Sequence, residues 1–272
     1  MTNRLKAYLL LLTTAIIWGI ASPVIKYTLN YIQPFSFLFW RFLITSLVFL
    51  PIFFIYKAKK SIKLSFKEVL KLANLGFLGT TLSLGLLFIG YKFTTAIDGS
   101  LIYSVAPIIV IIGGAMFLKE KVTKLEKWGA FFAFIGSIVT VVQPALEGKA
   151  LALKNISGNI LVLASAISWA VYCLLMRKYE AKEKTDPLIL TSISFFAGFI
   201  TVIPFYFLEK PSLLFSVYSL PKFHALPGIL YMSLLSSVVA YFTYNLGYSL
   251  IEASKATIFD YLKPIFAAPL AV

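Results

Sequence analysis

Residues 96–124 read AIDGSLIYSVAPIIVIIGGAMFLKEKVTK, and residues 253–272 read ASKATIFDYLKPIFAAPLAV. When Pro107 is laid on Pro264, Ala96 falls on Ala253, and the same offset relates Gly90-Tyr91 to Gly247-Tyr248. The likeness extends towards both ends. Ala15-Ile16-Ile17-Trp18-Gly19 corresponds to Ala166-Ile167-Ser168-Trp169-Ala170, and each is followed by a connection ending in proline, Pro34 and Pro187. The next apolar run in each case carries a further proline, Pro51 and Pro204. The chain is read as two weakly similar halves, 1–146 and 147–272.

A membrane-spanning helix needs about 20 predominantly apolar residues. Nine such runs are present: about 5–26, 34–56, 70–92, 96–118, 126–146, 156–177, 187–208, 225–250 and 254–272. The repeat unit is therefore five helices. Five is odd, so the second copy enters the membrane from the opposite side, a construction found in secondary transporters. The expectation is an all-α integral membrane protein of two inverted five-helix repeats. Nine helices are visible of an inferred ten, because Val272 follows soon after Pro264. Ending a chain inside an apolar run leaves carbonyls unpaired in lipid, so a longer, ten-helix protein is expected.

Composition supports a membrane class: 60% of residues are hydrophobic, 16% are aromatic, and the mean hydropathy is +0.88. Soluble domains are nearer 45–50% apolar. The net charge of +14 is placed in alternate connections. Seventeen of the 25 Lys and Arg are Arg4 and Lys6; Lys57, Lys59, Lys60, Lys63, Lys67 and Lys71; Lys119, Lys121, Lys124 and Lys127; Arg177, Lys178, Lys182 and Lys184; and Lys255. Basic loops are retained in the cytoplasm, which puts the N-terminus there in a multi-pass protein of the cell membrane. Nucleic acid is excluded as a partner, because it would need those charges gathered on one folded surface. Cys173 and His224 are each alone, so no disulfide framework or zinc site is implied, nor is any other cofactor. The first run continues past Trp18 without a small-residue cleavage site and reads as a span.

With these features the chain resembles an EamA-type member of the drug/metabolite transporter superfamily. The resemblance is carried by Trp18-Gly19 with Pro23, by Arg41 after Pro34, and by Ala106-Pro107 followed by Leu118-Lys119-Glu120-Lys121-Val122-Thr123. Gly129 through Gly136 fits as well. It implies ten helices, cytoplasmic termini, and export or exchange of amino acids and related metabolites. The chain departs from the pattern in lacking a second copy of the acidic turn that holds Glu120, and the tenth helix.

Polar groups inside a membrane are expensive and face a cavity or a partner. In the fourth run Ser100, Tyr103, Ser104 and Pro107 share one α-helical face, and Thr257, Asp260, Tyr261 and Pro264 are their counterparts in the ninth. Both faces are read as walls of a central path, with the two prolines as gating points; interhelical glue is the plainer reading. Asp260 is either a proton- or amine-binding group or an internal ion pair with Lys263, three residues on. Arg41 is a fixed cation able to hold a carboxylate bidentately, or else it snorkels outward or braces backbone carbonyls; Ser194 aligns with it in the second half. Ser237, Tyr241, Tyr244, Asn245 and Tyr248 form a stripe through the eighth run that suits a substrate wall. Trp18 and Trp169 hold related positions and face either the substrate or the core. Lys26 and Lys92 are expected to snorkel from helix ends.

The function expected is a secondary active transporter, by preference an exporter, with a small molecule and the lipid bilayer as partners and a homodimer left open. No Gly-x-x-x-x-Gly-Lys-Ser/Thr stretch is present to bind ATP. A passive channel or scaffold is the alternative. A membrane-embedded enzyme acting on lipid is weaker, since it needs a nucleophile with a base or a metal cluster.

Overall fold

A computed structural model describes residues 3–120, 152–183, 185–209 and 224–270, with scattered positions between 122 and 139. Helix α1 is Asn3–Thr28, α2 is Pro34–Lys59, α3 is Phe66–Phe93 and α4 is Ala96–Phe117. The described positions of the fifth run (127–129, 131–132, 135–136 and 138–139) are helical and belong to α5. Most of that run, including Ala133 and Ser137, lies outside the described residues. Helix α6 is Ala152–Glu183, α7 is Pro187–Leu208, α8 is Leu226–Leu250, and α9 occupies 253–270.

Local chemistry sets the helix starts. Pro34 and Pro187 open α2 and α7, where a missing N–H costs nothing. Asp186 caps α7 by accepting from Leu188 N at 2.9 Å. Ser65 and Glu68 form a reciprocal capping box that starts α3 at Phe66. Thr95 caps α4. Among the described residues, seven helices are long and apolar enough to cross a membrane. Leu47, Ile55, Ile200 and Phe207 each expose more than half of their surface, a pattern that lipid tolerates and water does not.

Four helices depart from the regular α-form expected of them. In α3, Leu78–Leu82 is π-helical; in α8, Tyr231–Ala240 is π-helical and contains the counterpart of that segment at the Gly90–Gly247 offset. Helix α4 breaks at Ser104 into Ala96–Tyr103 and Val105–Phe117. Helix α9 runs Ala253–Ala256 as α, Thr257–Leu262 as 3₁₀ and Lys263–Ala267 as α. The prolines explain the last two. Pro107 and Pro264 cannot donate to Tyr103 and Asp260, four residues earlier, and their rings press on those carbonyls. The chain tightens instead, with Ser104 N donating to Leu101 O and Lys263 N to Asp260 O.

The helices pack across the two halves. Helix α1 lies against α8 and α9, while α6 lies against α3 and α4; α2 and α7 pack on each other, α2 also on α8 and α7 also on α3. Individual contacts recur. Gly90 abuts Val162 and Gly247 abuts Leu11, each so closely that a Cβ would come within 2.8 Å. Ser165 donates to Ser83 O (2.7 Å), and Thr14 to Ala240 O (3.3 Å). Lys26 donates to Tyr91 O (2.8 Å), and Arg177 to Tyr248 O (3.0 Å). The Trp18–Trp169 offset relates one partner of every pair, and the Gly90–Gly247 offset the other. Lys26 thus satisfies end carbonyls of α3, also reaching Thr94 O at 2.6 Å, rather than snorkelling.

The connections add ties between helices. Glu209, at the end of α7, accepts from Ser36 N (2.9 Å), and burial holds its carboxyl above the usual range. Asp186 accepts from Tyr56 (2.7 Å) and Lys60 (3.3 Å), and the Tyr56 phenol, followed by the Asp186 carboxylate, raises the Lys60 ammonium's pKa. Glu120 accepts from Ala253 N (2.9 Å) and Ser254 N (3.0 Å) at the start of α9, with Arg177 3.7 Å away. Replacing Glu120 by alanine leaves two buried N–H groups unpaired. Charged hydrogen bonds are worth roughly 1.5–3 kcal/mol, so a loss of about 2 kcal/mol is expected in SDS-induced unfolding from mixed micelles.

Candidate functional site

Arg41, 1% exposed, stands at the centre of the bundle. The π-register of α8 prepares its partners. Ser237 donates to Met232 O, five residues back, at 2.9 Å, so the hydroxyl oxygen is left to accept from Arg41 Nε at 2.8 Å. Ser236, which regular α-spacing would turn aside, accepts from Nη2 at 3.3 Å. The guanidinium lies 5.8 Å from the Phe88 ring centroid. Its Nη1 is buried without a hydrogen-bond partner, and among the described residues no carboxylate pairs with it.

A second charged group faces the same space. Asp260 and Lys263 form an ion pair at 2.8 Å, with side chains 6% and 12% exposed. Tyr244 and Thr257 each donate to Asp260 Oδ2 at 3.3 Å. Lys263 Nζ lies 4.5 Å from the Trp18 ring centroid and 5.6 Å from that of Tyr103. A desolvated ammonium over aromatic faces gains about 2 kcal/mol. The 3₁₀ turn stacks Thr257, Asp260 and Lys263, because residues three apart eclipse in that helix.

Aromatic side chains join the two charged groups. Trp18 and Trp169 meet edge-on at 5.4 Å, and Tyr241 and Tyr244 lie 5.1 and 4.9 Å from Trp18. Trp18 Nε1 donates to Ser236 O (3.1 Å) and the Tyr241 hydroxyl to Gly79 O (3.1 Å); Trp169 Nε1 is buried without a partner. Tyr91 donates to Ser22 at 2.9 Å.

These groups line a cavity of about 70 Å³ to which both halves contribute. Of the residues singled out by sequence, Trp18, Arg41, Ser100, Tyr103, Ser104, Trp169, Tyr241, Asp260 and Lys263 line it. Tyr244 and Thr257 sit behind Asp260. Asn245 is a structural tie, donating to Thr191 (2.6 Å) and accepting from Tyr172 (3.3 Å). Tyr248 packs on Tyr244. Tyr261 turns away onto Ile108 and Ile111, the 3₁₀ turn having rotated it off the face an α-helix would give it. Pro107 and Pro264 shape the helix breaks and do not line the cavity. Ser22, Tyr91, Met232 and Ser236 do line it and were not singled out. For Ser236 the only signal was its neighbour Ser237; for Tyr91, its place in a repeated dipeptide.

An all-α, multi-pass membrane bundle with a charged, aromatic cavity at its centre defines the class as a polytopic membrane transporter. The EamA-like transporter family model matches residues 5–142 and again 156–272, and the chain belongs to that family. The uncharacterized transporter YyaM of Bacillus subtilis (strain 168) is 31% identical over 97% of this chain and 84% of its own length. An uncharacterized transporter of Archaeoglobus fulgidus is 30% identical over 98% and 88%. A solved structure titled "Crystal structure of protein" shares the fold at a TM-score of 0.71 with 16% identity, over 98% of this chain and 87% of that one.

Proposed function

We propose that this transporter is a secondary carrier that exports small metabolites such as amino acids, by alternating access to the cavity between two inverted five-helix repeats. The observation that carries the reading is Arg41, a buried cation in the cavity wall with no paired carboxylate among the described residues and one unpartnered nitrogen. An isolated buried charge costs several kcal/mol, and a substrate carboxylate offsets that cost. The adjacent Asp260–Lys263 pair offers an acceptor for an ammonium group, so a zwitterion fits both ends. The contacts duplicated across the halves, and the two stretches that match one family model, support the repeat. The distribution of basic residues supports a cytoplasmic N-terminus, and family resemblance supports the outward direction.

Proteoliposomes preloaded with a mixture of the proteinogenic L-amino acids, then offered each labelled amino acid in turn, test this. Saturable counterflow dependent on the internal load is expected. Labelled flux that neither saturates nor responds to the internal load would instead make the protein a channel.

A further inference from the structure

A hydrogen bond in the cavity wall of one half is not repeated in the other. Trp18 Nε1 donates to Ser236 O. The offsets that join Trp18 to Trp169 and Gly90 to Gly247 make Gly79 O the corresponding acceptor for Trp169. A helical carbonyl keeps one lone pair beyond its own ladder bond, and at Gly79 the Tyr241 hydroxyl takes it, at 3.1 Å. The first-half counterpart of Tyr241 is Leu84, which has no hydroxyl to compete for Ser236 O. A single residue difference thus leaves the Trp169 indole N–H, in a side chain 2% exposed, without a partner.

Arg41 Nη1 is the other unpartnered buried donor among the residues lining this cavity. We infer that Trp169 donates its indole N–H to an acceptor oxygen of the substrate, and that Tyr241 keeps this donor available by occupying Gly79 O. The inference rests on the carboxylate-carrier reading and adds a second contact that sets specificity. A buried donor left unpaired is penalised, so the site favours molecules that bring an acceptor and rejects isosteres lacking one.

Indole-¹⁵N-labelled protein in nanodiscs gives one N–H resonance for each of its four tryptophans, and Trp169→Phe identifies that of Trp169. With the proteinogenic L-amino acid mixture as probe, the Trp169 resonance is expected to move. In ligand-free Tyr241→Phe, which releases Gly79 O, it is expected to be displaced already. In counterflow, Trp169→Phe and Tyr241→Phe are each expected to raise the half-saturating concentration about tenfold, the loss of one charge-assisted hydrogen bond, with the maximal rate kept. If amino acids are counterflowed while the Trp169 resonance stays still, the donation is wrong and the carrier stands. A ligand-free Tyr241→Phe spectrum identical to that of the unmodified protein removes Tyr241 from the role. If no indole resonance moves and no counterflow occurs, the carrier reading fails and takes this inference with it.

Discussion

Arg41→Gln is expected to reduce amino-acid counterflow about 100-fold while leaving the protein folded, with equal or higher resistance to unfolding. The two halves of that result have different causes. Truncating one partner of a buried, hydrogen-bonded charge pair costs roughly 2–5 kcal/mol in binding, and in the transporting state the partner is the substrate carboxylate. In the empty protein the guanidinium has only the Ser236 and Ser237 hydroxyls, the face of Phe88, and no carboxylate among the described residues. Removing an uncompensated buried charge relieves desolvation and does not expose a new one. Arg41→Lys is expected not to rescue transport. An ammonium is a point charge and cannot hold two serines and a planar carboxylate together. Unchanged kinetics in Arg41→Gln would sink the anchor, whereas loss of folding would make Arg41 a structural brace.

Asp260→Asn is expected to act in the opposite order, destabilising the fold first. It strands Lys263 as a buried ammonium whose remaining support is the faces of Trp18 and Tyr103. Breaking a buried pair from one side costs about 3–5 kcal/mol. The double variant Asp260→Asn, Lys263→Met removes both charges and is expected to recover most of that stability. Transport is expected to stay below a tenth of the unmodified rate in the double variant, because the ammonium acceptor is gone. Recovery of flux along with stability would reduce the pair to a packing element, and SDS unfolding beside counterflow at several pH values separates these results.

How much of this was legible before the structure depends on how regular the helices are. Arg41 and Asp260 stand out in any reading, because a charge in an apolar run needs a reason. Trp18 and Trp169 stand out because they repeat. Tyr248 and Tyr261 do not line the cavity: Tyr248 packs on Tyr244 in the regular α-helical end of α8, while the assumption of 3.6 residues per turn breaks down at Tyr261, inside the 3₁₀ turn. The same assumption hid Ser236, which the π-register brings beside Ser237 to face Arg41. Prolines announce such irregularity at Pro107 and Pro264, yet nothing comparable marks Leu78–Leu82, whose π-form shows only in three dimensions. Glu120 was visible as part of a basic turn. Its grip on the start of α9 was not, because its partners are main-chain N–H groups.

The 3₁₀ turn of α9 also acts as a ruler. A 3₁₀ helix rises about 2.0 Å per residue and an α-helix about 1.5 Å, so the six residues Thr257–Leu262 hold roughly 3 Å of extra length. Rewinding them as α would draw Pro264 towards Ala253, or pull Ala253 and Ser254 off the Glu120 carboxylate. Residues three apart would then stand about 60° out of line rather than eclipsed, and the Thr257–Asp260–Lys263 stack would splay around the helix. Length, the hold on the helix start and the central ion pair are tied to one six-residue segment.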